Sequence, residues 1–293
     1  MRYRVSHTTT YGYSETVSIC YNQARLTPRN CLHQVCRASR LDIRPAAVIG
    51  QRRRDYFGNE VTYFTVQEPH RALSIAVESE IELLALPPAA PAASPPWDRV
   101  AGVLQTERTS DVLDAYQFRF ASAFVRPNAE LREYARESFA PGRPILDSAI
   151  ELTGRIFRDF TYDPTATTVA TPLEEVLRKR RGVCQDFAHL QVACLRSMGL
   201  AARYVSGYIL SATNDGEQHL TGSQASHAWV SVFVPGTGWF DVDPTNNMTR
   251  SIEHISLAWG RDYEDVSPVR GVVLGGGEHT LAVEVNVVPL EAV

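Results

Sequence analysis

Residues 181–190 read Arg-Gly-Val-Cys-Gln-Asp-Phe-Ala-His-Leu, and they place Cys184 at the first turn of a helix. Phe187, Leu190, Cys194, Leu195 and Met198 follow at helical spacing and form one apolar stripe; Gly199 supplies the stop. Gly182 reads as the end of a preceding short helix and lets the backbone approach closely. A helix start carries free N–H groups and the positive end of the dipole, so it favours an anion such as a thiolate. A buried structural thiol is the competing reading of Cys184 from these residues alone.

Downstream the periodicity changes to that of strands, over 202–210, 227–234 and 238–242. His227, in Ser226-His227-Ala228-Trp229-Val230, opens one strand, and Asp241-Val242-Asp243-Pro244-Thr245-Asn246 closes the next. A nucleophilic thiol needs an imidazole within hydrogen-bond reach, and the imidazole needs a group to fix its tautomer. Cys184, His227 and either Asp241 or Asp243 supply those three roles. Taken singly, each has a bland reading as a core thiol, a satisfied strand histidine or a turn aspartate. Strand parity adds a constraint. A four-residue hairpin loop would put Asp243 and His227 on opposite faces; an odd-length connection or a bulge would pair 227 with 245 and make Asp243 its diagonal neighbour.

Upstream, 131–139 and 145–160 carry helical stripes, and Thr171-Pro172-Leu173-Glu174 reads as a capping box. Residues 1–86 read as β. In 74–83, Ile75, Val77, Ser79, Ile81 and Leu83 alternate with Glu78, Glu80 and Glu82, and Gly58-Asn59 marks a hairpin turn. Short strands with turn signals predict an N-terminal antiparallel β-sandwich over 1–86. Residues 86–97 hold five prolines and read as a stiff, exposed linker, at which cleavage should leave two folded pieces. The second unit spans 98–293 and ends in an alternating strand at 279–290. Gly275-Gly276-Gly277 is a turn, since no lysine or helix start follows it.

Composition narrows the function. The 293 residues carry 29 Lys+Arg against 33 Asp+Glu, a net charge of −4, so no basic field exists to hold a nucleic acid. No run approaches the ~20 apolar residues of a membrane helix. MRYRVSHTTTYGY has no secretory pattern, and the expected location is the cytoplasm. Five cysteines are too few for a disulfide scaffold, and Cys20, Cys31 and Cys36 lack metal-ligand spacing. Neither metal nor cofactor is expected.

GVCQDFAHL, SHAWV and DVDPTNN resemble, in order and spacing, the three core motifs of the transglutaminase-like superfamily. Asp55-Tyr56-Phe57-Gly58-Asn59 and Pro69-His70 resemble the β-module that precedes this core in bacterial members. The resemblance implies an α+β protein with a papain-like core and thiol acyl chemistry through Cys184, His227 and Asp243. Asp243, not Asp241, matches the family's Asp-Pro-Thr position. Gln185 and Tyr162 lie where the family places oxyanion or pocket residues, although core packing explains Tyr162 as well. The implied substrate is a peptide or protein amide, with a primary amine as the acceptor if the reaction is transfer. Hydrolysis is the simpler expectation, because transfer needs a dedicated amine site. The alternative is a silent interaction module that keeps the fold. His189 lies about 140° round the helix from Cys184 and is a poor base; Cys194 also faces elsewhere. The run Arg178-Lys179-Arg180-Arg181 is read as a solvated helix end.

Overall fold

The computed structural model describes residues 1–85, 90–210, 226–249 and 253–290. The first strand, β1 (Arg2–Ala24), is 23 residues long and organises the first half of the fold. β2 (Gln34–Arg44), β3 (Val48–Arg54), β4 (Glu60–Val66) and β5 (His70–Leu83) follow. Helices α1 (Trp97–Thr106), α2 (Ser110–Tyr116), α3 (Ala129–Arg136) and α4 (Ile145–Asp159) lead through the two-residue β6 (Thr161–Tyr162) to α5 (Leu173–Lys179), β7 (Arg181–Gly182) and α6 (Cys184–Ser197). Then come β8 (Ala202–Ile209), β9 (His227–Val234), β10 (Gly238–Asp243), β11 (Met248–Thr249), β12 (His254–Gly260), α7 (Tyr263–Val266), β13 (Val269–Gly275) and β14 (His279–Leu290). The protein is α+β, with antiparallel pairing in both large sheets.

Two apolar cores result. In the first, alternation does what the sequence requires: Ile75, Val77, Ser79, Ile81 and Leu83 of β5 are all buried. They share a core with Tyr3, Val5, Val17 and Phe64, and also with Tyr208, Ile255 and Leu257 from the second sheet. In the second core, α6 is buried on nearly every side. Phe187, Leu190, Val192, Cys194 and Leu195 pack against Val230, Val232 and Val242 of the five-stranded sheet β11-β10-β9-β8-β12. A helix this enclosed is a central element with a fixed position.

The chain ends where it began. β14 pairs with the first half of β1 from Arg2↔Leu290 to Tyr13↔His279, and β13 pairs with its second half from Val17 to Ala24. The tail strand, expected with the second unit, therefore completes the seven-stranded N-terminal sheet. Gly275, Gly276 and Gly277, all at positive φ, form the turn between β13 and β14.

The proline-rich segment also differs from expectation where it is described. Pro91–Ala93 forms a 3-10 turn, Ile145 N donates to Pro95 O at 2.9 Å, and Trp97 N donates to Arg143 O at 3.0 Å. Composition signals stiffness but not docking, and here the stiff segment is strapped to the start of α4. Residues 86–89 lie outside the described residues.

A second tie crosses between the sheets. The free edge of β12 meets two primary amides from the first 60 residues. Gln34 donates to Ser256 O at 2.7 Å and accepts from Ser256 N at 2.8 Å. Asn59 does the same at Trp259, at 2.9 and 3.0 Å. Each amide imitates a strand neighbour and satisfies buried backbone groups that would otherwise cost about 1–3 kcal/mol apiece. Residues 1–85 and 90–293 expressed as separate chains in one cell should therefore co-purify as one complex. Recovery of two independently folded, non-associating pieces by size-exclusion chromatography would contradict this interleaving.

Candidate active site

α6 begins with a carboxylate clasp. Asp186 Oδ2 accepts from Val183 N at 2.8 Å and from Thr167 Oγ1 at 2.6 Å, satisfying an N–H at the helix start. Burial pushes the Asp186 carboxyl up, against the pull of those two donors. Gly182 makes the clasp possible: a Cβ there would stand 2.6 Å from Asp186 Oδ2. This corrects the reading of Gly182 as a helix stop. The preceding helix ends at Lys179, and Arg180 takes the left-handed conformation at φ 55°. Arg180 lies over the rings of Tyr134 and Phe160, Lys179 pairs with Glu175, and Arg181 pairs with Asp163.

The hairpin carrying His227 and Asp243 has a three-residue connection. Gly238 pairs with Val234 and Val242 with Val230, which sets Asp243 opposite Trp229 and diagonal to His227 on the same face. His227 Nε2 and Asp243 Oδ2 are 2.8 Å apart, and both side chains are fully buried. Asp241 shares that face one step along but accepts from Ser231 Oγ instead.

Five donors converge on Asp243. His227 Nε2, Asn246 Nδ2 at 2.9 Å and His254 Nε2 at 3.3 Å meet Oδ2. Thr245 N at 2.8 Å and Asn246 N at 3.3 Å meet Oδ1. Burial would raise the Asp243 carboxyl; the His227 ring and the His254 hydrogen bond outweigh it and hold the group far below the usual carboxylate range. Burial would lower the His227 imidazole, yet Asp243 and then Cys184 carry it well above its ordinary value.

The other ring nitrogen, Nδ1, is buried and closes no directed hydrogen bond. Cys184, half-buried, nevertheless raises the ring's affinity for a proton. The sulfur thus stands close to the imidazole without ideal alignment; thiol–imidazole contacts of this kind tighten when substrate binds.

Tyr162 sits beside the same sulfur. β6 runs parallel to β7 with Tyr162 paired to Gly182; burial, then Cys184, pushes its hydroxyl up. Gln185 Nε2 donates to Val169 O at 3.4 Å. His189 accepts from Tyr263 N at 3.1 Å and stacks on Phe124, and burial takes it down to about 3. Burial pushes the Cys194 thiol up to about 12. The structure brings Cys184, His227, Asp243 and Tyr162 together and leaves His189, Cys194 and Asp241 apart from them.

His254 is the residue the sequence did not reveal. β12 lies beyond β8, three strand steps from β10, which in a flat sheet is roughly 14 Å. The approach depends on Gly207. A Cβ there would stand 2.5 Å from the Trp229 ring and 2.1 Å from Ile255 O. Its absence lets the Trp229 indole lie across β8 and meet His254 edge-on at 5.0 Å, while stacking 6.1 Å from His227.

His227, Asp243 and His254 offer donor atoms within 4.8 Å of one another, a set that a divalent metal could use. Two donors on a tetrahedral zinc, with bonds of ~2.0–2.1 Å, stand roughly 3.3 Å apart. The 2.8 Å between His227 Nε2 and Asp243 Oδ2 is instead the spacing of a proton-bridged pair.

Comparison with known proteins shows the family. Residues 3–82 match the bacterial transglutaminase-like N-terminal region, and residues 132–244 match the transglutaminase-like superfamily core. An uncharacterized Mycobacterium tuberculosis protein is 42 % identical over 300 residues, covering 99 % of this chain and 93 % of its own length. A protein-glutamine gamma-glutamyltransferase of Pseudomonas aeruginosa is 31 % identical over 102 residues, 32 % of this chain and 15 % of that one. A crystal structure of a candidate cysteine protease from Cytophaga hutchinsonii has the same fold, with a TM-score of 0.74 at 19 % identity over 100 % of this chain and 91 % of that one. Among the described residues, no helix is long and apolar enough to cross a membrane.

Two outcomes follow from the packing and the charges. Gly207→Ala should cost about 1–3 kcal/mol in denaturant unfolding, because neither the Trp229 ring nor the Ile255 carbonyl can retreat freely. The second concerns pH. The depressed Asp243 contributes stability that is present above about pH 4 and is lost as pH falls toward its folded value. The raised His227 contributes stability that is complete below about pH 6.5 and is lost as pH rises through its folded value. Asp243→Asn should therefore flatten the acid limb of the stability profile and His227→Gln the alkaline limb. Unfolding free energies measured from pH 2 to 10 check both.

Proposed function

We propose that this chain, which belongs to the transglutaminase-like superfamily, breaks amide bonds by thiol acyl chemistry through Cys184, His227 and Asp243. The observation that carries the reading is the buried 2.8 Å His227–Asp243 pair, whose second ring nitrogen is left without a directed partner beside a cysteine at a helix start.

His227 Nδ1 takes the thiol proton before the attack, and the Sγ thiolate of the resulting thiolate–imidazolium pair adds to the carbonyl carbon. The Cys184 N–H, in the first turn of α6 and so without an intrahelical acceptor, donates to the oxyanion. Collapse of the tetrahedral intermediate breaks the C–N bond; His227 returns its proton to the leaving amine, and a thioester remains. Asp243 keeps Nε2 protonated and stabilises the imidazolium throughout. Tyr162 borders the carbonyl site. Water, activated by His227, then releases the acid and restores the thiol, which makes the protein a peptidase or amidase acting on peptides or proteins. A primary amine in place of water would give transfer, the activity carried in the name of the Pseudomonas relative.

Incubation with a peptide library, with and without a primary amine, followed by mass spectrometry tests the reading. The expected result is cleaved or deamidated peptide, lost at least a thousandfold on Cys184→Ala. Amine adducts in preference to hydrolysis would reassign the second step. No product of either kind, together with equal, slow alkylation of all five cysteines, would leave an interaction module.

A further inference from the structure

We propose that His254 is a positioning residue that sets how firmly Asp243 holds the His227 proton. The inference rests on the triad reading above and adds a residue to it. His254 Nε2 meets the same carboxylate oxygen as His227 Nε2, at 3.3 Å against 2.8 Å, and both imidazoles are buried. Trp229 touches both rings and fixes their separation at 6.3 Å between centroids.

Among the described residues, the ionisable groups facing His227 are few. Cys184 comes from α6, Asp243 from β10 and His254 from β12. From β8 the register partner is Gly207, which has no side chain. Asn246, which also reaches Oδ2, is neutral. Further along the face, Asp241 is engaged by Ser231 and lies beside Arg203. Besides His227, the side chains that donate to Asp243 Oδ2 among the described residues are Asn246 and His254, and of these two His254 reaches it from a different strand.

The reaction needs His227 to take a proton from sulfur and then release it to a leaving amine. A carboxylate that gave all its charge to one imidazolium would retain that proton too well, whereas an acid works best when its proton affinity suits the operating pH. A further donor on the same oxygen, beside His227 and Asn246, spreads the carboxylate's charge and weakens its hold. It also limits rotation of the carboxylate, so Oδ2 stays turned toward His227. β12 can hold a donor there because one edge pairs with β8 and the other is bracketed by Gln34 and Asn59. The N-terminal module thereby bears, through β12, on the proton that His227 Nε2 shares with Asp243 Oδ2.

The test is the rate of Cys184 alkylation by iodoacetamide from pH 5 to 11, read by peptide mass spectrometry. His227→Ala identifies the inflection that belongs to the imidazole, because that inflection disappears. His254→Leu should move it to higher pH by roughly half to one unit, the scale of losing one ordinary net hydrogen bond, since the 3.3 Å contact is long. His254→Gln, whose side-chain N–H still donates, should leave it in place. Should the leucine chain fail to fold, His254→Asn, too short to reach Oδ2, carries the same expectation. An inflection that stays put or moves down in the leucine or asparagine chain overturns the role of His254 while leaving the triad intact. A profile unchanged by His227→Ala overturns the triad reading, and the inference falls with it.

Discussion

A carboxylate with no exposed surface must be matched donor by donor, and Asp243 is such a carboxylate. Left unpaired, a charge in that position would cost several kcal/mol. Five hydrogen bonds from four residues offset the cost. Each donor then constrains an element: His227 fixes the start of β9, the Thr245 and Asn246 N–H groups fix the turn after β10, and His254 fixes the register of β12. The hairpin length obeys the same demand, since a one-residue change in the connection would turn Asp243 to the far side of the sheet.

From that carboxylate the constraint spreads to residues with no chemistry of their own. Gly207 is bare so that the Trp229 indole can cross β8; Trp229 in turn spaces the two imidazoles. Gln34 and Asn59 close the edge of β12 with amides in place of a strand. A true strand there would continue the sheet; two side chains satisfy the same backbone groups and let the N-terminal core reach Tyr208, Ile255 and Leu257. Arg29, Trp259, Arg203 and Trp239 stack in alternation along the same seam, with guanidinium carbons 3.1, 3.6 and 4.2 Å from the ring centroids. The two halves of the chain are joined by side-chain chemistry as much as by the interleaving of β13 and β14 with β1.

The sequence was most legible where periodicity and catalysis coincide. The stripe of α6 and the alternation of β5 correspond to continuous buried faces, and parity required an odd connection or a bulge between β9 and β10 once His227 and Asp243 share a face. What stayed hidden depended on contacts between distant segments. Glu253-His254-Ile255 carries no motif, and its meaning comes only from the strand order that brings β12 around Gly207. Gly182 was noticed for the wrong reason, because a glycine before a helix reads as a stop and the carboxylate that occupies its missing Cβ lies four residues on. The tail strand alternates as expected, but alternation does not name a partner, and the partner is β1. Prolines 91, 95 and 96 suggested a free linker; docking onto Pro144 and Ile145 depends on backbone groups that composition does not display.

α6 carries its own control for why Cys184 is the reactive candidate. The helix holds two cysteines and a histidine, and residue type does not separate them. Cys194 sits nearly three turns in, fully buried, where burial raises the cost of an anion and takes the thiol up to about 12. His189 accepts a backbone N–H between two aromatic rings, and burial takes it down to about 3, so it stays neutral. Only at the first turn do free N–H groups, partial exposure and an imidazole held by a carboxylate meet at one sulfur. The same helix that buries its interior residues into inertness presents its end to the His227–Asp243 pair, and the clasp of Asp186 on Val183, possible only beside a glycine, is what holds that end in place.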